Sequence, residues 1–271
     1  MGLIESGPLG GDMSETSAKV ATSERLIDAY NQFFEVMLVD DKPDLIDEVY
    51  RLRYQVYCLE RPFEDPAQFP DGRERDRYDD RSLHSLLIHR PSGVIAGTVR
   101  LILPDARNPV GSLPIDTVCQ SPEFMDPKQM PRSHMGEVSR FAVSKSFRRR
   151  IGEAGSPTAV TDDSLAAMEA AQADMADRRL APHITLGLIE SLVAMSERSG
   201  TTHWCSVMER ALLRLLSRIG IYFNNLGPQV EHHGRRQPCY IELRTLLARV
   251  REERFDVWEI LTREGTMGPV D

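Results

Sequence analysis

The sequence predicts a mixed α/β (α+β) domain in which a central sheet is flanked by helices. Two observations indicate this fold class. Short runs rich in β-branched residues dominate the first half of the chain, and in the second half such runs alternate with segments of helical periodicity. Alternating strands and helices bury a sheet beneath helices. At 271 residues the chain is long enough to bury a substantial core.

The first elements are two helices separated by a strand. A helical pattern begins at Ser23 and continues through Phe33, and FEVMLV at 34–39 predicts a strand. Apolar residues at helical spacing predict a second helix over 43–59. The next segment, 61–80, is polar and rich in proline, so we expect a loop there.

A hairpin and a further strand follow. HSLLIHR at 84–90 and VIAGTVRLILP at 94–104 flank the turn sequence Pro-Ser-Gly, which predicts an antiparallel hairpin. Residues 105–135 carry many prolines and predict an irregular connection. EVSRFAV at 137–143 predicts a short strand. Strict alternation would place Val138, Arg140 and Ala142 on one face, and the residues between them on the other.

The second half predicts two helices and two strands in alternation. The predicted segments are a helix over 184–198 ended by Gly200, a strand over 202–208, a helix over 209–219 ended by Gly220, and a strand over 238–243. In the 184–198 helix we expect Ile184, Leu188, Leu192 and Met195 to form a core face. Residues 155–181 leave three alternatives open: an ordered helix, a flap over the ligand, or an unstructured insertion.

These elements predict one folded unit with a tail at each end. Residues 1–22 are rich in glycine and serine, and we expect a tail there, either disordered or derived from a tag. We assign 23–250 to a single domain with an insertion at about 155–181. We expect a C-terminal helix or tail over 251–271.

Composition and charge exclude several classes of function. A net charge of −8 argues against nucleic-acid binding as the main task. The four cysteines are far apart in the sequence, which predicts neither a zinc site nor a disulfide framework, and we expect no metal. No run approaches the ~20 apolar residues of a transmembrane helix. We therefore expect a cytoplasmic protein without a transmembrane segment.

Four groups of residues between 53 and 143 carry a family resemblance. They are Arg53 with Tyr57 and Phe63, Asp76-x-x-Asp79, Arg100, and Glu137-x-Ser139-Arg140-Phe141. In this order and spacing they resemble the acyl-homoserine-lactone (autoinducer) synthases and their relatives, the N-acyl amino acid synthases. The resemblance implies an acetyltransferase-like (GNAT) fold. The lactone synthases have Phe and Trp where this chain has Tyr57 and Phe63, which puts a lactone product in doubt.

Downstream, LGLIESLVAMSERSGTTHWCSVMERALLRLLSRIGIYF and GPQVEHHGRRQPCY resemble the acyltransferases associated with exosortase (PEP-CTERM) systems. The resemblance then implies an N-acyltransferase that moves a long-chain fatty acyl group onto an amino acid. Acyl-carrier protein or, less in keeping with the family, acyl-CoA would be the co-substrate, and no cofactor would be tightly bound. Two alternatives stay open: a lactone synthase using S-adenosylmethionine, and a non-catalytic module that binds acyl-carrier protein or lipid.

The resemblance implies that Glu137, Ser139, Arg140 and Phe141 form the catalytic segment. Glu137 would take a proton from the attacking amine, directly or through a water, or else form an ion pair with Arg140 or Arg100 that only orders the sheet. GNAT-like strands carry a bulge here that frees a backbone N–H for the thioester carbonyl. We therefore expect a bulge within 139–143.

The other motif residues are expected to bind substrate. Arg53 and Arg100 would either hold the carboxylate of the amino acid or fix Asp76 and Asp79. The two aspartates would either bind the ammonium or be solvated in a polar loop. Tyr57 and Phe63 complete this predicted set.

The block Arg148-Arg149-Arg150 follows the strand predicted at 137–143, and the segment RRIGEA at 149–154, which contains Gly152, matches the R-x-x-G-x-A phosphate loop of coenzyme A-dependent members of the fold. It would bind the phosphopantetheine arm or attract the acidic acyl-carrier protein, unless it is only a solvated basic turn.

Overall fold

We describe the protein from a computed structural model, which covers residues 25–148 and 180–268. Its helices are α1 Leu26–Phe33, α2 Pro43–Tyr54, α3 Pro122–Met125, α4 Lys145–Arg148, α5 Leu180–Ser199, α6 Arg210–Arg218, α7 Leu243–Glu253 and α8 Phe255–Thr262. A π-helical turn, Gln55–Glu60, continues α2. The strands are β1 Phe34–Leu38, β2 Ser82–His89, β3 Val94–Ile102, β4 Met135–Val143, β5 His203–Met208, β6 Asn224–Asn225, β7 Val230–Glu231 and β8 Arg235–Glu242.

The strands form one mixed sheet in the order β1-β2-β3-β4-β5-β8-β6, and β7 pairs with β8. Every pair is antiparallel except β4 with β5 within the described part of the chain. The fold class predicted from the sequence, a mixed sheet flanked by helices, is confirmed. The predicted hairpin is β2 and β3, and its turn ends at Gly93 with a φ of 66°.

Helix α5 is the central helix of the main core. All four residues predicted for its core face are buried, and their neighbours on the other sides are buried as well. A Cβ at Gly187 would lie 2.5 Å from a methyl group of Leu87, so the absence of a side chain lets α5 approach β2 closely. Across the helix, Glu190 accepts hydrogen bonds from Tyr30 (2.5 Å) and Arg263 (2.8 Å).

The C-terminal helices belong to the same body as the sheet. Helix α8 packs against α1, α5 and α7, and its residues Val257, Ile260 and Leu261 are buried in the main core. The boundary expected at residue 250 falls inside α7, so it marks no structural division there. Strands β6 and β7 were not predicted from the sequence, and each is two residues long.

Candidate active site

A cleft opens where β4 and β5 diverge. The two parallel strands pair from Met135 with His203 to Glu137 with Cys205. Beyond this point both strands line a cleft of about 250 Å³, with residues 138–141 on one side and 206–208 on the other. The Ser206 hydroxyl donates a hydrogen bond of 2.8 Å to the Val138 carbonyl. This carbonyl therefore has a hydrogen-bond partner at the point where the two strands stop pairing.

A β-bulge shapes the wall of this cleft. From Thr98 to Arg100 strand β3 advances two residues, while the paired residues of β4, Ala142 and Ser139, are three apart. The extra residue lies at Arg140, whose φ of 50° is in the left-handed region. The bulge predicted within 139–143 is therefore confirmed. The predicted alternation of faces is wrong beyond Ser139, because the bulge lets Arg140 line the cleft beside it.

Glu137 lies at the apex of the divergence. Its side chain is buried, with 4% exposed, and its Oε2 accepts a hydrogen bond of 2.7 Å from the Ile115 amide. Burial raises the pKa of Glu137 from 4.5 to about 8, against the opposing effects of that hydrogen bond and of the charge on Arg100. Arg100 and Arg140 make their ion pairs with other carboxylates. The ion pair considered for Glu137 is therefore not formed.

A network of three arginines and three carboxylates stands behind one wall of the cleft. Its members are Arg53, Arg100, Arg140, Glu74, Asp76 and Asp79. Their formal charges cancel. Each arginine contacts two of these carboxylates, so removal of any one member leaves a buried partner uncompensated.

Arg53 and Asp79 hold this network together from behind the cleft. Arg53 is fully buried and donates from Nε to Glu74 and from Nη1 to Asp79, both at 2.6 Å. Neither Arg53 nor Asp79 lines the cleft. They thus lie away from the cleft lining where a substrate contact was expected, and Arg53 contacts two carboxylates, which is one of the two arrangements that the sequence left open.

Arg100 and Asp76 belong to the network and also line the cleft. Arg100 donates to Ser139 Oγ at 2.9 Å and to both oxygens of Asp76 at 2.8 and 3.0 Å. Burial acts to raise the pKa of Asp76, but the hydrogen bonds and charge of Arg100 outweigh burial and lower it. Asp76 is therefore a stable carboxylate at the cleft wall.

Glu74 in the network and His84 beside it are residues that the sequence reasoning missed. Burial acts to raise the pKa of Glu74, but the charges of Arg53 and Arg140 lower it to about 2. His84 Nε2 lies 3.0 Å from Asp79 Oδ1. Glu74 stands in a loop where charged residues alternate, and nothing in that pattern distinguishes a buried carboxylate from a solvated one.

Aromatic rings close the other side of the cleft. Tyr57, in the π-helical turn, has its ring 6.4 Å from that of Phe63 and lies under the guanidinium of Arg140 at 5.2 Å. Burial raises the pKa of Tyr57 to about 12, so its hydroxyl is a neutral donor, directed at the Phe141 carbonyl 3.4 Å away. The turn between β7 and β8 reaches Phe63, because the His233 ring lies 5.6 Å from it.

The structure thus brings most predicted site residues to one cleft. Those that line it are Tyr57, Phe63, Asp76, Arg100, Glu137, Ser139, Arg140 and Phe141. Arg149, Arg150 and Gly152 lie outside the described residues, and Arg148 is described only as the last residue of α4. The residues His232, His233 and Arg236 also line the cleft and were not among the predicted site residues.

Comparisons with known proteins bear on the fold that carries this cleft. The family described as an acetyltransferase (GNAT) domain matches residues 52–155, which include β2, β3 and β4. No curated protein is similar enough to count as a match.

Solved structures share the fold over most of the chain. TofI, solved in a ternary complex with an inhibitor and MTA, is 21% identical with a TM-score of 0.52, and the alignment covers 81% of this chain and 95% of TofI. The AHL synthase LasI is 18% identical with a TM-score of 0.51, covering 88% and 96%. BjaI, a CoA-dependent acyl-homoserine lactone synthase solved with MTA, is 18% identical with a TM-score of 0.52, covering 85% and 99%.

These findings confirm the acetyltransferase-like fold expected from the sequence. The match to an acetyltransferase (GNAT) domain also confirms the expectation of an acyltransferase. Within residues 25–148 and 180–268, no helix has the length and hydropathy needed to cross a membrane. The roles of the individual site residues stay predictions.

Proposed function

We propose that this chain is an N-acyltransferase that moves a long-chain fatty acyl group from acyl-carrier protein, or from acyl-CoA, to the amino group of an amino acid. The observation that carries the proposal is the cleft between the diverging strands β4 and β5, with Glu137 at its apex. A thioester-bearing pantetheine arm is long and narrow, and a gap between two strands offers it backbone hydrogen-bonding groups along its length.

The bulge supports a binding site for the reacting carbonyl. Where a strand carries an extra residue, the sheet ladder is interrupted and a backbone N–H is left for another acceptor. At Arg140 and Phe141 such a donor would stabilise the oxyanion that develops when the amine attacks the thioester carbon. The new C–N bond forms as the C–S bond breaks, and the thiol leaves with one proton.

Glu137 supports the removal of a proton from the amine. An α-ammonium must lose a proton before it attacks, and a carboxylate of ordinary pKa is a weak base for this task. With its pKa raised to about 8, the ionised form of Glu137 is a stronger base. Asp76, held as a carboxylate by Arg100, would keep the ammonium in the cleft until the proton is transferred.

The second candidate is an acyl-homoserine-lactone synthase, favoured by the shared fold of LasI and BjaI. Tyr57 and Phe63, which depart from the lactone-synthase pattern and line the cleft, favour the first candidate. A cytoplasmic location, acyl-carrier protein as partner and the exosortase association belong to the same proposal and stay predictions.

Mass spectrometry of lipid extracts from bacteria that express the chain tests this proposal. Long-chain N-acyl amino acids are expected from the native chain and from Glu48→Gln, a change at a partly exposed position of α2 outside the cleft lining, and not from Glu137→Gln. Lactones would identify the second candidate. Extracts with no new species would contradict both and favour a module that only binds its ligand.

A further inference from the structure

Arg236 is a partly buried cation, 17% exposed, that lines the cleft and does not belong to the ionic network. It is the second residue of β8, beside the turn that joins β7 to β8, and it lines the cleft. Its Nη2 donates to Glu209 at 3.3 Å, and its guanidinium lies 5.6 Å from the centre of the Phe63 ring. Its Nε is buried and finds no hydrogen-bond acceptor among the described residues.

The two other arginines on the wall differ from Arg236 in this respect. Nε, Nη1 and Nη2 of Arg100 all donate to Ser139 and the aspartates of the network. Arg140 donates from Nε and Nη2 to Glu74 and to two further carboxylates. Of the described residues that keep a buried polar atom without a partner, Arg236 is the one that lines the cleft.

A buried donor of a charged group is costly when it lacks an acceptor, so an unpaired Nε calls for an explanation. That Nε is closed off from the cleft, but the guanidinium lines the cleft and donates to one carboxylate, Glu209 at 3.3 Å, so an anionic ligand could accept from its remaining Nη–H groups. The Nη–H groups of a guanidinium match the oxygens of a carboxylate, whereas a hydrophobic ligand offers them no acceptor.

We propose that Arg236 binds the carboxylate of the acceptor amino acid and thereby selects acids over neutral amines. This inference rests on the proposed function. Every α-amino acid presents an ammonium and a carboxylate on the same carbon, and the cleft offers acceptors for the first at Glu137 and Asp76 and a guanidinium for the second at Arg236. The phosphate of a pantetheine arm is the other anion that could enter, and the experiment separates the two.

Calorimetric titration with two product-like probes tests the inference. N-dodecanoylglycine and N-dodecanoylglycinamide have the same acyl chain and differ in the charged carboxylate. The native chain is expected to bind the acid about 10- to 100-fold more tightly than the amide, the range for a hydrogen-bonded charge pair. Arg236→Gln is expected to bind both probes with the affinity of the native chain for the amide.

Arg235→Gln is the matched control, because it removes the same charge from the neighbouring exposed position, outside the cleft lining. This variant is expected to keep the preference for the acid. A preserved preference in Arg236→Gln, with unchanged affinity for the amide, would overturn the inference and leave the proposed function standing. If Arg236→Gln instead weakens binding of dodecanoyl-phosphopantetheine alone, the anion is the phosphate and the inference is wrong. A native chain that binds neither probe would contradict the proposed function as well.

Discussion

Replacement of Glu137 by glutamine should raise stability and lower activity at the same time. The side chains have nearly the same shape, and a glutamine carbonyl oxygen can still accept the hydrogen bond that the Ile115 amide donates to Glu137 at 2.7 Å. The substitution therefore removes mainly the ionisation of a buried carboxyl group. A residue that only orders the sheet would give no reason for the two properties to move in opposite directions.

The size of the stability change follows from the pKa. Burial raises the pKa of Glu137 from 4.5 to about 8, so between these pH values the folded chain keeps a proton that the unfolded chain releases. The free energy of unfolding of the native chain then falls as pH rises. Each pH unit in this window corresponds to ~1.4 kcal/mol, which gives roughly 5 kcal/mol over the whole window as an upper estimate. The free energy of unfolding of Glu137→Gln does not include this decrease with pH.

Urea unfolding of both proteins at pH 5, 7 and 9 measures the difference directly. The free energy of unfolding of Glu137→Gln should exceed that of the native chain by an amount that grows across this series, while all other titrating groups cancel. A difference that stays constant with pH would refute the raised pKa.

The activity measurement uses the same two proteins. For the native chain, kcat/KM should rise with pH and level off above about 8, because only the ionised form of Glu137 accepts a proton. Loss of a general base typically costs ~100- to 10,000-fold in rate. Full activity in Glu137→Gln would exclude Glu137 as the base.

Three further predictions concern the network and the bulge. Glu74→Gln should lower the free energy of unfolding by ~3–5 kcal/mol at pH 7, because two arginines lose a buried partner. As pH falls from 4.5 to about 2 the difference from the native chain should shrink, since in this window the unfolded native chain takes up a proton at Glu74 and the folded chain does not. Gly97→Ala should cost ~1–3 kcal/mol, because the new Cβ would lie 2.8 Å from the Ala142 carbonyl oxygen beside the bulge, whereas the control Gly268→Ala meets no atom within 4 Å and should be neutral. Arg140→Gly should be more stable than Arg140→Ala by ~1 kcal/mol, because a φ of 50° strains alanine and not glycine; equal stabilities in urea unfolding would contradict the left-handed conformation.

The parts of the fold that local chemistry dictates were predictable. The β2–β3 hairpin follows from two apolar runs around a turn sequence, and α5 from sustained helical spacing that ends at Gly200. The strands β6 and β7 were not predictable, because two-residue strands have no periodicity and exist only through their pairing with β8. The chain beyond residue 243 was predicted only as a helix or tail. It forms two helices, α7 and α8, and the single residue between them gives no loop that would mark the boundary in the sequence.

The candidate site also has parts that were predictable from the sequence and parts that were not. Spacing placed Glu137, Arg100 and Asp76 in one motif set, and the structure brings them to one cleft. Which carboxylate each arginine contacts depends on long-range packing: Arg53 lies on α2, and the loop that carries Glu74 and Asp79 folds over it. Sequence spacing therefore could not decide between a substrate-binding and a carboxylate-fixing role for Arg53.

The pairing of charges in the network also explains why a carboxyl group beside arginines can have a raised pKa. Arg100 acts to lower the pKa of Glu137, yet burial outweighs it. Arg100 donates hydrogen bonds from both terminal nitrogens to Asp76, and from one of them also to Asp79. These carboxylates compensate much of its positive charge, so its effect on the pKa of Glu137 is reduced. In the proposed mechanism the network would therefore hold Arg140 at the bulge, keep Asp76 ionised for the ammonium, and leave Glu137 as a base strong enough to accept a proton from an amine.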